Sequence, residues 1–203
     1  MLLAGAAPAV QTGQDPPPEA QAIAQALTAA QLADWGRRHE DAGALIMAAR
    51  LAAEVRMRRG PESDADSFLT AEGLLDEAAA MAPDDAAVQA AVARLRRIPK
   101  TRGVRSSPFG QGPIYTVKAL QAGEIYAFDV DARSNEILRV AAIGDGDTDI
   151  NLSVRDARGV VVCRDGFGDH YPVCTVSPRE PGKLRVDITN RGEVWTRVQI
   201  LSN

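Results

Sequence analysis

A chain of 203 residues with 45% hydrophobic side chains can fill one large or two small buried cores. Its formal net charge of −4 includes no basic excess in either half, which excludes a partner held by phosphate neutralisation, nucleic acid above all. No apolar run reaches the length needed to cross a bilayer as a helix, so no integral membrane segment is expected.

The first stretch, MLLAGAAPAVQTGQDPPPEA, is small and apolar, then polar and proline-rich. Its Ala7-Pro8-Ala9 step resembles a signal-peptidase site, although a basic n-region is missing and the apolar run is short. Residues 1–18 read as the remnant of an export signal and a disordered lead. A plain Ala/Pro-rich terminus fits nearly as well.

From Glu19 to about residue 98 the composition is Ala-rich, Leu-containing and charged, which is helical. Ile23, Leu27, Ala30 and Leu32 predict a first amphipathic helix. Leu45, Ala48, Ala49, Ala52 and Val55 predict a second from Asp41 to Arg59, stopped by Gly60-Pro61. Ser63 or Asp64 is expected to cap a third helix running to Met81, and Pro83-Asp84-Asp85 restarts the chain for a fourth from Ala86 to Arg97. Ala71, Leu75, Ala78 and Pro83 have the small-large-small-proline spacing of a tetratricopeptide repeat, so this part resembles one degenerate unit. A simple helical hairpin or bundle accounts for the same residues.

Helical periodicity ends in a Pro/Gly/Ser-rich linker over 99–112, and residues 113–203 then read as strands. Strands are predicted at Ile114–Leu120, Glu124–Val130 and Glu136–Ile143. Ile150, Leu152 and Val154 alternate with Asn151, Ser153 and Arg155, and Leu184, Val186 and Ile188 alternate with Arg185, Asp187 and Thr189. Period two with one wet face marks antiparallel strands. Asp156-Ala157-Arg158-Gly159 turns the chain into Val160-Val161-Val162, which predicts a hairpin. The fold class is therefore α + β, a helical hairpin or bundle followed by an antiparallel β-sandwich.

Cys163 and Cys174 flank a Gly/Asp-rich connection between two predicted strands, an arrangement that sets them opposite one another. A disulfide is expected, which implies an oxidising compartment. Two reduced core thiols are the alternative.

The segments LQAGEIYAFDV (Leu120 to Val130), GDGDTDINLSVRDARG (Gly144 to Gly159), CRDGFGDHYPVC (Cys163 to Cys174), PGKLRVDITN (Pro181 to Asn190) and the closing TRVQILSN occur in one order. In that order the region resembles the bacterial pre-peptidase C-terminal domain, a small jelly-roll-like sandwich found on secreted proteases and other exported proteins. The resemblance implies a non-catalytic appendage serving secretion, attachment or maturation, and a structural role for Asp149 where the loop enters its strand. Here the helices, not a peptidase, precede it.

Chemistry is sparse. His39 sits among Arg37, Arg38 and Glu40, where a solvated position is expected. His170 adjoins Asp169 and Tyr171, yet no Gly-X-Ser-X-Gly elbow exists, and the nearest serines, Ser153 and Ser177, belong to strand patterns. No enzyme activity is expected. Asp145, Asp147 and Asp149, with Asp165 and Asp169, read first as turn chemistry and second as an irregular calcium site. No other cofactor is implied. Trp195, His170 and Tyr171 are the candidate binding residues. The expected function is an exported binding or accessory protein, periplasmic or secreted. Its helices would dock a protein partner, and its sandwich would contact an extracellular or envelope polymer or protein. The alternatives are a maturation or targeting appendage of a separate secreted peptidase, and a hydrolase whose site has no recognisable motif.

Overall fold

A computed structural model describes residues 15–97 and 111–203. The export-signal reading of the N-terminus and most of the expected linker lie outside these residues.

Among the described residues four helices come first: α1 (Pro18–Arg38), α2 (Ala42–Glu54), α3 (Ala71–Met81) and α4 (Ala86–Arg96). Their starts follow local chemistry. Asp41 accepts the Ala44 amide, Thr70 the Gly73 amide, and Asp85 the amides of Ala87 and Val88, each answering donors that a helix leaves unpaired in its first turn.

Two expectations fail between α2 and α3. Helix α2 stops at Glu54, and Arg58–Arg59 form a short strand, β1, parallel to the later Ile114–Leu120. The third helix is capped by Thr70, not Ser63 or Asp64. Ser63 is buried instead. Its hydroxyl donates to the Ala65 carbonyl at 2.8 Å and accepts the Val117 amide at 2.9 Å, so it joins this connection to the sheet.

Among the described residues eight further strands follow: β2 (Ile114–Leu120), β3 (Ile125–Ala132), β4 (Leu138–Gly144), β5 (Ile150–Arg155), β6 (Val161–Asp165), β7 (Val173–Val176), β8 (Gly182–Asn190) and β9 (Thr196–Ser202). They form a five-stranded sheet, ordered β1-β2-β9-β4-β7, and a four-stranded sheet, ordered β3-β8-β5-β6. Every pairing except β1–β2 is antiparallel. The predicted α + β sandwich and the β5–β6 hairpin are observed.

Alternation places the two cores. Leu152, Val154, Val186 and Ile188 of the four-stranded sheet meet Leu120, Val140, Val198 and Ile200 of the five-stranded sheet between the layers. The opposite face of the five-stranded sheet is also apolar: Tyr115, Val117, Ala141, Ile143 and Leu201 pack into one cluster with Ile23, Leu45, Leu74 and Val92 of the helices. The helices thus form a third layer on the sandwich. Gln199 is the polar member of this buried face. Its Oε1 accepts the Ser67 hydroxyl at 2.9 Å and the Phe68 amide at 3.2 Å, tying β9 to the chain entering α3.

Cys163 and Cys174 are disulfide-bonded, with Cα atoms 5.9 Å apart. Cys163 lies on β6 and Cys174 on β7, the edge strands of different sheets. The bond therefore clamps one margin of the sandwich.

Candidate functional site

Strand directions bring four connections to one end of the sandwich: β2–β3 (121–124), β4–β5 (145–149), β6–β7 (166–172) and β8–β9 (191–195). Asn190, fully buried at the close of β8, joins the first of them to the last. Its Nδ2 donates to the carbonyls of Leu120, Gln121 and Val194 at 3.2, 3.1 and 2.7 Å, and its Oδ1 accepts the Gly192 amide at 2.9 Å. The Arg191 amide donates to the Asp149 carbonyl at 2.8 Å, and the Ile150 amide to the Asp169 carbonyl at 2.9 Å. A Cβ at Gly192 would stand 2.6 Å from the Thr148 side chain, so β8–β9 rests directly on β4–β5. Buried amides and carbonyls must find partners, and these loops satisfy one another.

This lattice accounts for most of the aspartates considered for calcium. Asp145 accepts the Thr196 hydroxyl at 2.6 Å and the Arg197 amide at 3.0 Å; Asp165 accepts the Val173 amide and Asp169 the Tyr171 amide, both at 2.8 Å. Asp147 is exposed. Asp149 holds the loop through its carbonyl, while its Oδ1 is buried without a hydrogen-bond partner, as are Thr148 Oγ1 and Asn151 Oδ1. Among the described residues no three His, Cys, Asp or Glu side chains converge in a way that would hold a metal ion.

The candidate binding residues separate by environment. His170 and Tyr171 face the helices: the rings stand 4.1 Å apart, His170 Nε2 lies 3.9 Å from Asp34 on α1, and the Tyr171 hydroxyl points to the Ala30 carbonyl at 3.4 Å. Burial holds the Tyr171 phenol above its ordinary pKa, reinforced by Asp34 and opposed by Arg37 and Arg38. Gly144 makes the fit, because a Cβ there would stand 2.8 Å from that of His170. Trp195 instead is 57% exposed, just before β9 rather than within it.

Phe167, missed in the sequence, is 93% exposed at the tip of β6–β7. The readable signal was an aromatic between two glycines, Gly166 and Gly168, in a connection already known to lie between strands. Ile125 and Val194 add further exposed apolar surface at the same end.

The remaining candidates for chemistry lie apart. His39 is exposed, its Nδ1 2.8 Å from the Trp35 carbonyl. Ser153 sits mid-strand on the outer face of the four-stranded sheet, opposite Asp187 and Arg164. A shallow hollow of about 400 Å³ on that face is lined by Asp129, Arg155, Asp156, Lys183 and Arg185, and holds neither a histidine nor a hydroxyl nucleophile.

No helix among the described residues is long and apolar enough to cross a membrane. No family model and no curated protein matches the chain. Among solved structures it is similar to the pre-peptidase C-terminal domain of a Bacillus anthracis collagenase (TM-score 0.40, 6% identity, 44% of this chain and 87% of that one). It is also similar to the Aeromonas hydrophila periplasmic inhibitor of g-type lysozyme, PliG (TM-score 0.34, 9% identity, 45% of this chain and 86% of that one).

Proposed function

We propose that this chain is an exported, non-catalytic accessory protein that binds its partner through the four-loop end of a sandwich of the pre-peptidase C-terminal type. The observation that carries the reading is Phe167, 93% exposed on loops otherwise cross-linked by buried hydrogen bonds. A rigid frame displaying an unburied aromatic is arranged like an interaction anchor, since such residues dominate binding energy once covered. The disulfide supports export, because such bonds persist in oxidising compartments. The scattered positions of His39, His170 and Ser153 support the absence of catalysis. The repeat-like α3–α4 hairpin has its buried side in the shared core, leaving its outer side for any additional protein contact.

The test is retention of envelope polymers and envelope proteins on the immobilised full chain, beside a Phe167→Ser/Trp195→Ser variant. Retention by the first and loss in the second is expected. Equal retention by both, retention by neither, or turnover of a substrate without a retained ligand would overturn the reading.

A further inference from the structure

The two ends of the sandwich differ in charge. The four connections of the loop end hold six carboxylates, Glu124, Asp145, Asp147, Asp149, Asp169 and Glu193, and one arginine, Arg191. The three connections at the opposite end are balanced, with Glu136, Asp156 and Glu180 set against Arg133, Arg158 and Arg179. That end also neutralises itself locally: Arg133 lies 3.5 Å from Glu136, and Arg158 lies 3.5 Å from Asp156.

None of the six loop-end carboxylates forms an ion pair among the described residues. Those with partners accept neutral donors, as Asp145 does from Thr196 and Glu124 from the Gln121 amide at 2.7 Å. Of the cations nearby, Arg197 on β9 turns its guanidinium over the Phe68 ring at 4.9 Å, on the helical side, and Arg37 and Arg38 on α1 pair with Glu77 and Asp34. Six carboxylates gathered around one arginine, and ion-paired to none, repel one another and project a negative potential into solvent.

Aromatic faces stand in that field. Phe167 and Trp195, with Val194 and Ile125, offer apolar surface, and the rings present faces that attract cations. Neither feature suits a polyanion: an acidic polysaccharide or an anionic bilayer would be repelled. Both suit a protein surface on which lysine or arginine lies beside a large apolar side chain.

We propose that the loop end docks a basic protein segment of that composition, the carboxylates and ring faces receiving its cations and Phe167 its apolar residue. This deepens the binding reading above and rests on it.

The test uses the folded full chain and a random displayed-peptide library, with recovered peptides measured by calorimetry at about 0.05 and about 0.5 M salt. Three variants are compared: Asp147→Lys/Glu193→Lys, Phe167→Ser/Trp195→Ser, and Arg158→Glu at the opposite end. The first two alter exposed side chains that make no internal hydrogen bonds, and matched thermal melts verify folding. Recovered peptides should be cationic with a large apolar residue. Their affinity should fall about tenfold or more in each loop-end variant and at high salt, and should be unchanged in the control. Neutral apolar peptides, insensitive to salt but lost with Phe167 and Trp195, would overturn the charge argument and leave the docking surface standing. No recovered peptide, or binding unmoved by both loop-end variants, would overturn the inference together with the surface.

Discussion

The disulfide allows a quantitative test of how the sandwich is held. Cys163 and Cys174 are 11 residues apart, and a cross-link closing a loop of that size removes about 3 kcal/mol of denatured-state entropy in the chain-entropy model. The perturbation is Cys163→Ala/Cys174→Ala, because alanine leaves no hydroxyl in the buried Cys174 position. Roughly 1 kcal/mol of lost sulfur packing adds to the entropic term. For a chain of 203 residues a loss of about 4 kcal/mol corresponds to a fall in Tm of about 8–16 °C. Guanidinium denaturation of the oxidised protein and the variant supplies the free energy, and thiol titration with intact mass supplies the redox state. A loss below about 1 kcal/mol would refute the clamp between edge strands. Two titratable thiols in protein taken from its native host would refute the compartment.

Three shorter predictions follow from buried polar groups. Gln199→Leu strands the Phe68 amide and leaves the Ser67 hydroxyl only the Leu69 carbonyl, and should cost about 1–3 kcal/mol by denaturant titration, without changing the secondary structure. Asn190→Ala leaves the carbonyls of Leu120, Gln121 and Val194 without their shared donor. Hydrogen exchange should therefore accelerate in 121–124 and 191–195 more than in the α2 core. Tyr126 and Tyr171 are both held above the ordinary phenol pKa, chiefly by desolvation, with Glu62 adding to the effect at Tyr126. A raised folded-state value means their stabilisation is complete below the unfolded pKa and drains away as pH rises through and beyond it. Ultraviolet titration should show two late-ionising phenols coupled to alkaline unfolding; ionisation of both at the ordinary value, with the fold intact, would contradict the burial argument.

How much of this was legible in the sequence depended on whether one contact network or several set each residue. Ile150-Leu152-Val154 and Leu184-Val186-Ile188 have a single buried face, so period two revealed it, and the pairing Leu152 to Ile188 follows. Strand β4 was harder. Leu138, Val140 and Ala142 face the second sheet, but Ala141 and Ile143 are buried under helices, and that continuous apolar run signals a sheet covered on both sides. Strand β1 could not be read at all: two arginines have no period, and their placement depends on β2, over fifty positions later. Ser63 and Asp64 had the right chemistry for a helix cap, yet Ser63 is occupied by Val117 and Asp64 by Lys118, so Thr70 caps the helix. The disulfide was visible because strand order set both cysteines opposite. The loop-end assembly was not, because Asn190 reads as an ordinary turn residue until its three carbonyl partners are seen.

The doubly covered sheet makes a prediction about autonomy. If residues 111–203 are expressed alone, Tyr115, Val117, Ile143 and Leu201 lose the helices that bury them. At about 2 kcal/mol for each large side chain returned to water, that is about 8 kcal/mol. A domain of this size has a net stability of only about 5–15 kcal/mol, so the fragment should sit near its folding threshold. It also loses Ser63 from the Val117 amide, and Ser67 and Phe68 from Gln199, so these polar groups exchange protein partners for water on the uncovered face. The fragment should therefore bind a hydrophobic dye, associate in sedimentation experiments and melt far below the intact chain. A matching fragment with Val117→Thr, Ile143→Thr and Leu201→Gln should remain monomeric, because the liability lies on the uncovered face and not between the sheets. A wild-type fragment that stays monomeric and melts with the intact chain would show the helices to be a separable module, and the shared core to contribute little to holding the sandwich.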